Sequence, residues 1–471
     1  MRRRRTKIVC TLGPATESAK GIAALIEAGT DVFRLNFSHG NRDDHRQKIR
    51  RIREVSASLG REVGILQDLA GPKIRLGELP SESVVLEAGK TVALGVEGRS
   101  GEDVLPVNYP HLLEDVDAGE RILLADGLAE LEVIEVDEDR LLCNVLIGGT
   151  VSSRKGVNLP QANLRVSSFT DKDRQDLAVG LDEGVDFVAL SFVRHEDDLA
   201  PVRERLDRRD RPPLLIAKIE KPQAVNRLEP ILKAVDGVMV ARGDLGVEMP
   251  PEKVPMIQKK IIAAARRAGR PVITATQMLR SMVDSPRPLR AEASDVANAV
   301  LDGTDAVMLS EETAIGNYPC EAVQVLHRVA VEAEPNINLL ETLANSASSI
   351  SDLTSAISLA ACELAASIGA VAIVTTTASG RTATLVARHR PVTPILGLTT
   401  SLEVARQLRL SWGVIPAVSG EAEDPVELGH GIRTELAEHG LGTPGDRVVV
   451  TAGLPLGGSG STNLIRVLEL E

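Results

Sequence analysis

Aromatic residues are scarce in this 471-residue chain, only 2% of it, with Trp412 the single tryptophan. That scarcity argues against the stacked aromatic platforms on which proteins hold single-stranded nucleic acid, and it requires cores built from Ala, Val, Leu and Ile. A positive net charge is also missing. The formal net charge is −12, so no global basic field recruits nucleic acid or anionic lipid. The arginines at 2–5 have no apolar segment behind them and read as a solvated tail rather than a signal peptide. No stretch approaches the roughly 18 apolar residues of a membrane span. Cys10, Cys143, Cys320 and Cys362 show no metal-ligand spacing and read as reduced, partly buried thiols of a cytoplasmic protein.

What is present is a rhythm. The length suggests about three domains. Apolar, β-branched runs at 7–12, 31–35, 62–67, 187–192, 214–219, 237–240, 271–275 and 306–309 alternate with helical patterns, most of them entered through Ala/Gly turns. Strands that alternate with helices predict a parallel sheet covered on both faces, and this number of strands closes a (β/α)8 TIM barrel. Between the third and fourth runs the chain changes to short β patterns with Gly and acidic turns and no helical period. This predicts a small β-barrel inserted over the barrel mouth, where it can act as a lid. Beyond about 336 the rhythm restarts, with runs at 370–375, 394–398, 414–417 and 447–451 and helical segments at 353–366 and 382–389. The expected α/β fold is therefore a catalytic barrel from 1–72 and 167–336, a lid at 73–166, and a C-terminal open-sheet α/β domain at 337–471.

Polar residues gather at the ends of the predicted strands, the rim where barrel enzymes keep their catalytic groups. Lys218 and Glu220 stand two apart on one strand and point the same way, and Asp244 arrives at the end of the next. An ammonium beside two carboxylates suits a divalent cation such as Mg2+ next to a fixed charge; structural pairs Glu220–Lys218 and Asp244–Arg242 are the plain alternative. Arg34, Arg75, Arg242 and Lys218 around one mouth imply a bound anion, with phosphate favoured because guanidinium forks match its oxygens. Asn36, Ser38 and Asp68 form a second oxygen cluster that can hold a monovalent cation, or can serve in ordinary loop and cap hydrogen bonds. Lys73 lies close enough to Asp68 for its ammonium to replace that cation. In the last domain, Thr377, Ser379, Gly380, Arg381 and Thr382 sit between a strand and a helix, as a phosphate cradle or a plain cap. The glycine-rich loop at 457–463 is a second candidate.

Several long motifs then point to one family. VCTLGPAT at 9–16, FRLNFSHG at 33–40, the segment 68–75, KGVNLP at 155–160, AKIEKP at 217–222, MVARGDLGVE at 239–248, TATQML at 274–279, SDVANAVLDGTDAVMLS at 294–310 and GSTN at 460–463 resemble the pyruvate kinase family over nearly the whole chain. The resemblance implies the last step of glycolysis, phosphoryl transfer from phosphoenolpyruvate to ADP giving pyruvate and ATP, in a cytoplasmic homotetramer. It implies that Glu220 and Asp244 hold Mg2+ (or Mn2+), that Lys218 meets the phosphoryl and enolate oxygens, and that Arg34 and Arg75 bind phosphate. Gly243, Asp244 and Thr276 would receive the substrate carboxylate; Asn36, His39, Arg75 and Lys155 would contact the nucleotide; water near Thr276 and Ser310 would protonate the enolate. Lys73 stands where many members carry a glutamate and require K+, so this chain resembles the K+-independent branch. The loop at 377–382 resembles the family's effector loop, which implies regulation by a sugar phosphate or AMP. A Mg2+-dependent barrel lyase and a catalytically dead metabolite sensor are the competing readings, and neither accounts for the lid, Lys155 and the full set of mouth residues together.

Overall fold

A computed structural model describes residues 3–79, 81–98, 101, 104–162, 164–337, 352–420, 425–453 and 462–471. Eight parallel strands close into a barrel: Lys7–Thr11, Val32–Asn36, Gly64–Leu69, Phe187–Leu190, Leu214–Ile219, Gly237–Ala241, Val272–Ala275 and Ala306–Leu309. The first strand seals the ring, with Cys10 opposite Phe33 on one side and Leu309 on the other. Both faces of these strands are buried because they alternate between two cores. Val9, Leu66, Ile216, Met239, Ile273 and Met308 fill one cluster, while Ile8, Cys10, Ile65, Leu215 and Val240 pack in the larger one with the helices. Helices Ala19–Ala28, Asp171–Glu183 and Arg290–Asp302 end at Gly29, Gly184 and Gly303 in left-handed conformations, which glycine adopts without a Cβ clash. The helices ahead of the second, fourth and eighth strands are thus stopped by the same turn chemistry.

The lid strands form a six-stranded sheet and a two-stranded sheet around a separate core that includes Leu94, Val107, Tyr109, Leu131 and Cys143. One helical turn, Leu112–Asp115, corrects the expectation of β structure alone. Four residues are too few to display a helical period, and tertiary contacts hold the turn: the buried Asp115 carboxylate receives the Tyr109 hydroxyl and pairs with Arg165 at 2.8 Å.

The C-terminal sheet runs Val414–Val418, Ile395–Thr399, Ala372–Thr376, Arg447–Ala452, Leu464–Glu469. Its last strand is antiparallel and was not expected, because an edge strand with partly exposed residues such as Val467 lacks the continuous apolar run of its buried neighbours. The domain seats on the barrel through Asp305. This buried carboxylate accepts from Val272 N at 3.0 Å and Trp412 N at 3.2 Å and pairs with Arg390 at 3.0 Å. The guanidinium groups of Arg5 and Arg390 both lie over the Trp412 ring, 5.5 and 5.1 Å from its centre. Among the described residues no helix is long and apolar enough to cross a membrane. Replacing one member of a buried ion pair strands the other, so Asp305→Ala is expected to cost about 3–5 kcal/mol. Urea unfolding followed by Trp412 fluorescence checks this, with emission shifting red as the seat opens.

Candidate active site at the barrel mouth

The fifth strand carries Lys218 into the mouth, and Glu220 follows at its end on the same side. The Lys218 ammonium lies 2.7 Å from Ser191 Oγ, 2.7 Å from Glu220 Oε1 and 3.4 Å from Asp68 Oδ1. It therefore ties together the ends of the third, fourth and fifth strands. Asp68 also accepts from Arg34 Nε at 2.7 Å, and Arg34 reaches on to Thr11 Oγ1 at 3.0 Å. An alternating chain of hydroxyl, cation and anion so runs around half the rim. Burial works against the Lys218 charge, but Asp68, Glu220 and Asp244 outweigh it and hold the ammonium above its ordinary pKa. Asp68 also resists its burial, kept below the usual carboxylate range by Lys218 and Arg34. Glu220 goes the other way. Burial, aided by the like charge of Asp244, pushes it up despite Lys218. A buried carboxylate whose charge is disfavoured by a second one beside it is a place for a further cation.

Asp244 stands exposed in the first turn of helix Arg242–Glu248, which starts where the sixth strand stops. Beside it, Gly243 N donates to Thr276 Oγ1 at 2.7 Å. Thr276 and Gln277 have φ of 67° and 54°, a left-handed conformation that is strained for a β-branched residue. The strained pair turns the seventh strand's end toward Gly243. Arg242 corrects the sequence reading. Its guanidinium does not join the mouth cations but pairs with Asp295 at 2.7 Å and donates to the carbonyls of Ala275 and Thr276 at 3.2 and 2.8 Å. The carbonyls at the end of the seventh strand and a nearby carboxylate together satisfy its fork.

On the opposite side the charges are unbalanced. Lys73 is half-buried and makes no ion pair within 4 Å among the described residues. Burial, then Arg75, Lys218 and Lys172, push its ammonium down to about 8. Partial burial and the charges of Lys73, Arg75 and Arg34 likewise push the exposed His39 down. Asn36 sits opposite Asp68 in register, but its Oδ1 accepts from Ser38 N at 3.1 Å. Asp68 is already held by Arg34 and Lys218, so the oxygen trio of Asn36, Ser38 and Asp68 is largely engaged within the protein. Arg75 and Gly156 form a β-bridge, which places exposed Lys155 on the lid loop next to the strand carrying Arg75. No side-chain contact joins Lys155 to the barrel among the described residues.

The sequence placed Ser191 on the rim after the fourth strand without its pairing to Lys218, and it did not reveal Thr11 as a partner of Arg34, or Phe192. Phe192 N donates to Glu220 Oε2 at 2.9 Å from a residue with φ 64°. Hydroxyls and backbone groups of this kind carry no spacing signal. Ser310 Oγ is buried without a partner among the described residues.

In the C-terminal loop, Gly380 has φ 80° and caps helix Arg381–Ala387, Ser379 is exposed, Thr377 N donates to Leu398 O at 2.9 Å, and Arg381 pairs with Asp352 at 3.3 Å. Thr382 Oγ1 shares a 2.7 Å hydrogen bond with Thr462 Oγ1, so the two candidate loops meet. The stretch 457–461 of the second loop lies outside the described residues.

Closed barrel, inserted lid and a mouth with a carboxylate pair facing unpaired cations define a (β/α)8-barrel enzyme that works on an anion. Residues 3–323 match the pyruvate kinase barrel domain and residues 355–468 the pyruvate kinase alpha/beta domain. Pyruvate kinase 2 of Synechocystis sp. is 48% identical over 470 residues, covering 98% of this chain and 79% of that protein. Pyruvate kinase of Agrobacterium vitis is 45% identical over 471 residues, covering 99% and 97%. The crystal structure of a pyruvate kinase from Cryptosporidium parvum superposes with a TM-score of 0.95 at 36% identity, covering 99% of this chain and 96% of that one. The chain belongs to the pyruvate kinase family and is a phosphotransferase.

A lysine whose pKa is lowered to about 8 by burial and then by surrounding cations takes up a proton when an anion settles beside it. Calorimetry of anion binding between pH 8 and 9, in buffers of different ionisation enthalpy, should register proton uptake that disappears in Lys73→Met. Affinity in the parent should fall as pH rises through 8, since the neutral amine attracts no anion.

Proposed function

We propose that this enzyme transfers the phosphoryl group of phosphoenolpyruvate to ADP, yielding pyruvate and ATP as the last step of glycolysis. The observation that carries this reading is the buried Lys218 ammonium, held among Asp68, Glu220 and Ser191 and flanked by cations that have no partner of their own. An ADP phosphate oxygen attacks phosphorus in line while the phosphorus–enol oxygen bond breaks, and negative charge shifts onto that enol oxygen. Lys218 is a fixed donor for this oxygen and for the phosphoryl group in flight, and needs no reorganisation as charge develops. Arg34 and Arg75 bind phosphate oxygens, while the backbone of Gly243 and Asp244 with Thr276 receives the substrate carboxylate. The enolate carbon then takes a proton from water near Thr276 and Ser310, which completes pyruvate; the unpartnered Ser310 hydroxyl supports a water there. Asn36, His39 and Lys155 join Arg75 in contacting the nucleotide.

Glu220 and Asp244 fit a divalent metal, because both are hard oxygen donors at adjacent strand ends and Asp244 raises the cost of the Glu220 charge; Mg2+ (or Mn2+) held there would supply neutralisation of phosphoryl and carboxylate oxygens. K+ is not required in this reading. Lys73 supplies the single charge that relatives with a glutamate at this position recruit, and the engagement of Asp68 by Arg34 and Lys218 supports it. Thr377, Ser379, Gly380, Arg381 and Thr382 bind the phosphate of a sugar phosphate or AMP effector in a cytoplasmic homotetramer.

ADP-dependent pyruvate formation with Mg2+ tests the central claim. Lys218→Met should lower kcat by at least about 100-fold; pyruvate release without ADP would refute phosphoryl transfer. Adding K+ to a K+-free assay should leave the parent rate unchanged and raise that of Lys73→Glu. A strong K+ activation of the parent would overturn the role given to Lys73.

A further inference from the structure

A buried cluster at the lid's return is not used by the reaction as derived above. Glu248, with its side chain 1% exposed, ends the helix that carries Asp244. Its Oε1 accepts from Asn158 Nδ2 on the lid at 2.8 Å and from Lys221 Nζ at 2.6 Å. Lys221 directly follows Glu220, is itself buried, and holds its ammonium 4.3 Å from the centre of the Phe192 ring. Phe192 is where these contacts converge. Its ring packs against the lid core, its carbonyl accepts from Ser168 Oγ at 2.7 Å just past the lid, and its N–H holds Glu220 Oε2. It does all this at φ 64°, a costly conformation for an aromatic residue that persists only where surroundings over-determine it.

We propose that Asn158, Glu248, Lys221 and Phe192 form a latch through which the seated lid positions the Glu220 carboxylate. The latch rests on the metal-binding reading of Glu220. Glu220 has one oxygen set by Lys218 and the other by Phe192 N–H, so the angle of its carboxylate follows the Phe192 backbone. That backbone is clamped from the lid side by the ring's packing and from the helix side by Lys221. Glu248 draws Lys221 and Asn158 to the same oxygen, so seating of the lid and placement of the Phe192 ring are one event. These four are positioning residues, since none touches the reacting atoms. The linkage is reciprocal: a divalent cation at Glu220 must also favour the seated lid.

Mn2+ binding to the substrate-free protein, with free Mn2+ read by electron paramagnetic resonance, and limited proteolysis of the lid test this together. Asn158→Ala and Phe192→Leu are each expected to weaken Mn2+ binding about tenfold with the thermal midpoint of the barrel unchanged. Mn2+ should slow lid cleavage in the parent and fail to do so in Asn158→Ala. Should Phe192→Leu not fold, Asn158→Ala decides alone. Mn2+ affinity within about twofold of the parent in Asn158→Ala, with protection of the lid intact, overturns the latch. Glu220→Gln separates the two readings: retained Mn2+ binding there overturns the metal assignment and the latch with it, whereas binding lost there but unaltered in Asn158→Ala overturns the latch alone.

Discussion

The burial of one ammonium governs this mouth. Lys218 is nearly removed from water, a state that costs several kcal/mol unless partners surround the charge. Those partners come from separate strands, Asp68 from the third and Ser191 just past the fourth, while Glu220 follows on its own. Their meeting depends on barrel register, in which Asp68 stands beside Ala189 and Leu190 beside Ala217. A one-residue slip would turn Lys218 toward the helices and strand both it and Asp68 without compensation. The fold and the site therefore enforce each other.

The rest of the mouth divides by whether its charges are paired. Arg34, Asp68, Lys218 and Glu220 neutralise one another and are rigid, which suits groups that must hold position while charge moves on a substrate. Lys73 and His39 are both held below their ordinary pKa, by burial first and then by neighbouring cations that include Arg75. Lys73 and Arg75 are held in place by the chain leading into the inserted domain, where Arg75 bridges Gly156. Asp244, exposed and without an ion pair within 4 Å among the described residues, leaves a charge of the opposite sign beside Glu220. The mouth thus presents two unsatisfied fields of opposite sign on one rigid frame.

Motif-bearing residues were readable as a set, because (β/α)8 rhythm places the end of every strand on one rim. Lys218, Glu220 and Asp244 were legible from spacing and strand periodicity alone. The pairing of Arg242 was not. It stands beside Gly243 and Asp244 in one motif, and only the carbonyls of Ala275 and Thr276 with Asp295 turn it away. Phe192 was equally hidden, since a phenylalanine after a buried strand looks like core until its φ and the lid's packing are known. The edge strand Leu464–Glu469 escaped for a simpler reason, half of its side chains lying toward solvent.

By itself the sequence determined the eight barrel strands, the parallel strands of the C-terminal sheet and which residue types stand at the rim. These follow from local periodicity, turn chemistry and motif order, all properties of neighbours in the chain. Only the tertiary structure decided which charges are consumed by the protein and which are left for a ligand. Coulomb energies depend on separation in space and on burial. For Lys218 with Asp68, Arg242 with Asp295 and Asn158 with Glu248, both are set by contacts between residues far apart in the chain.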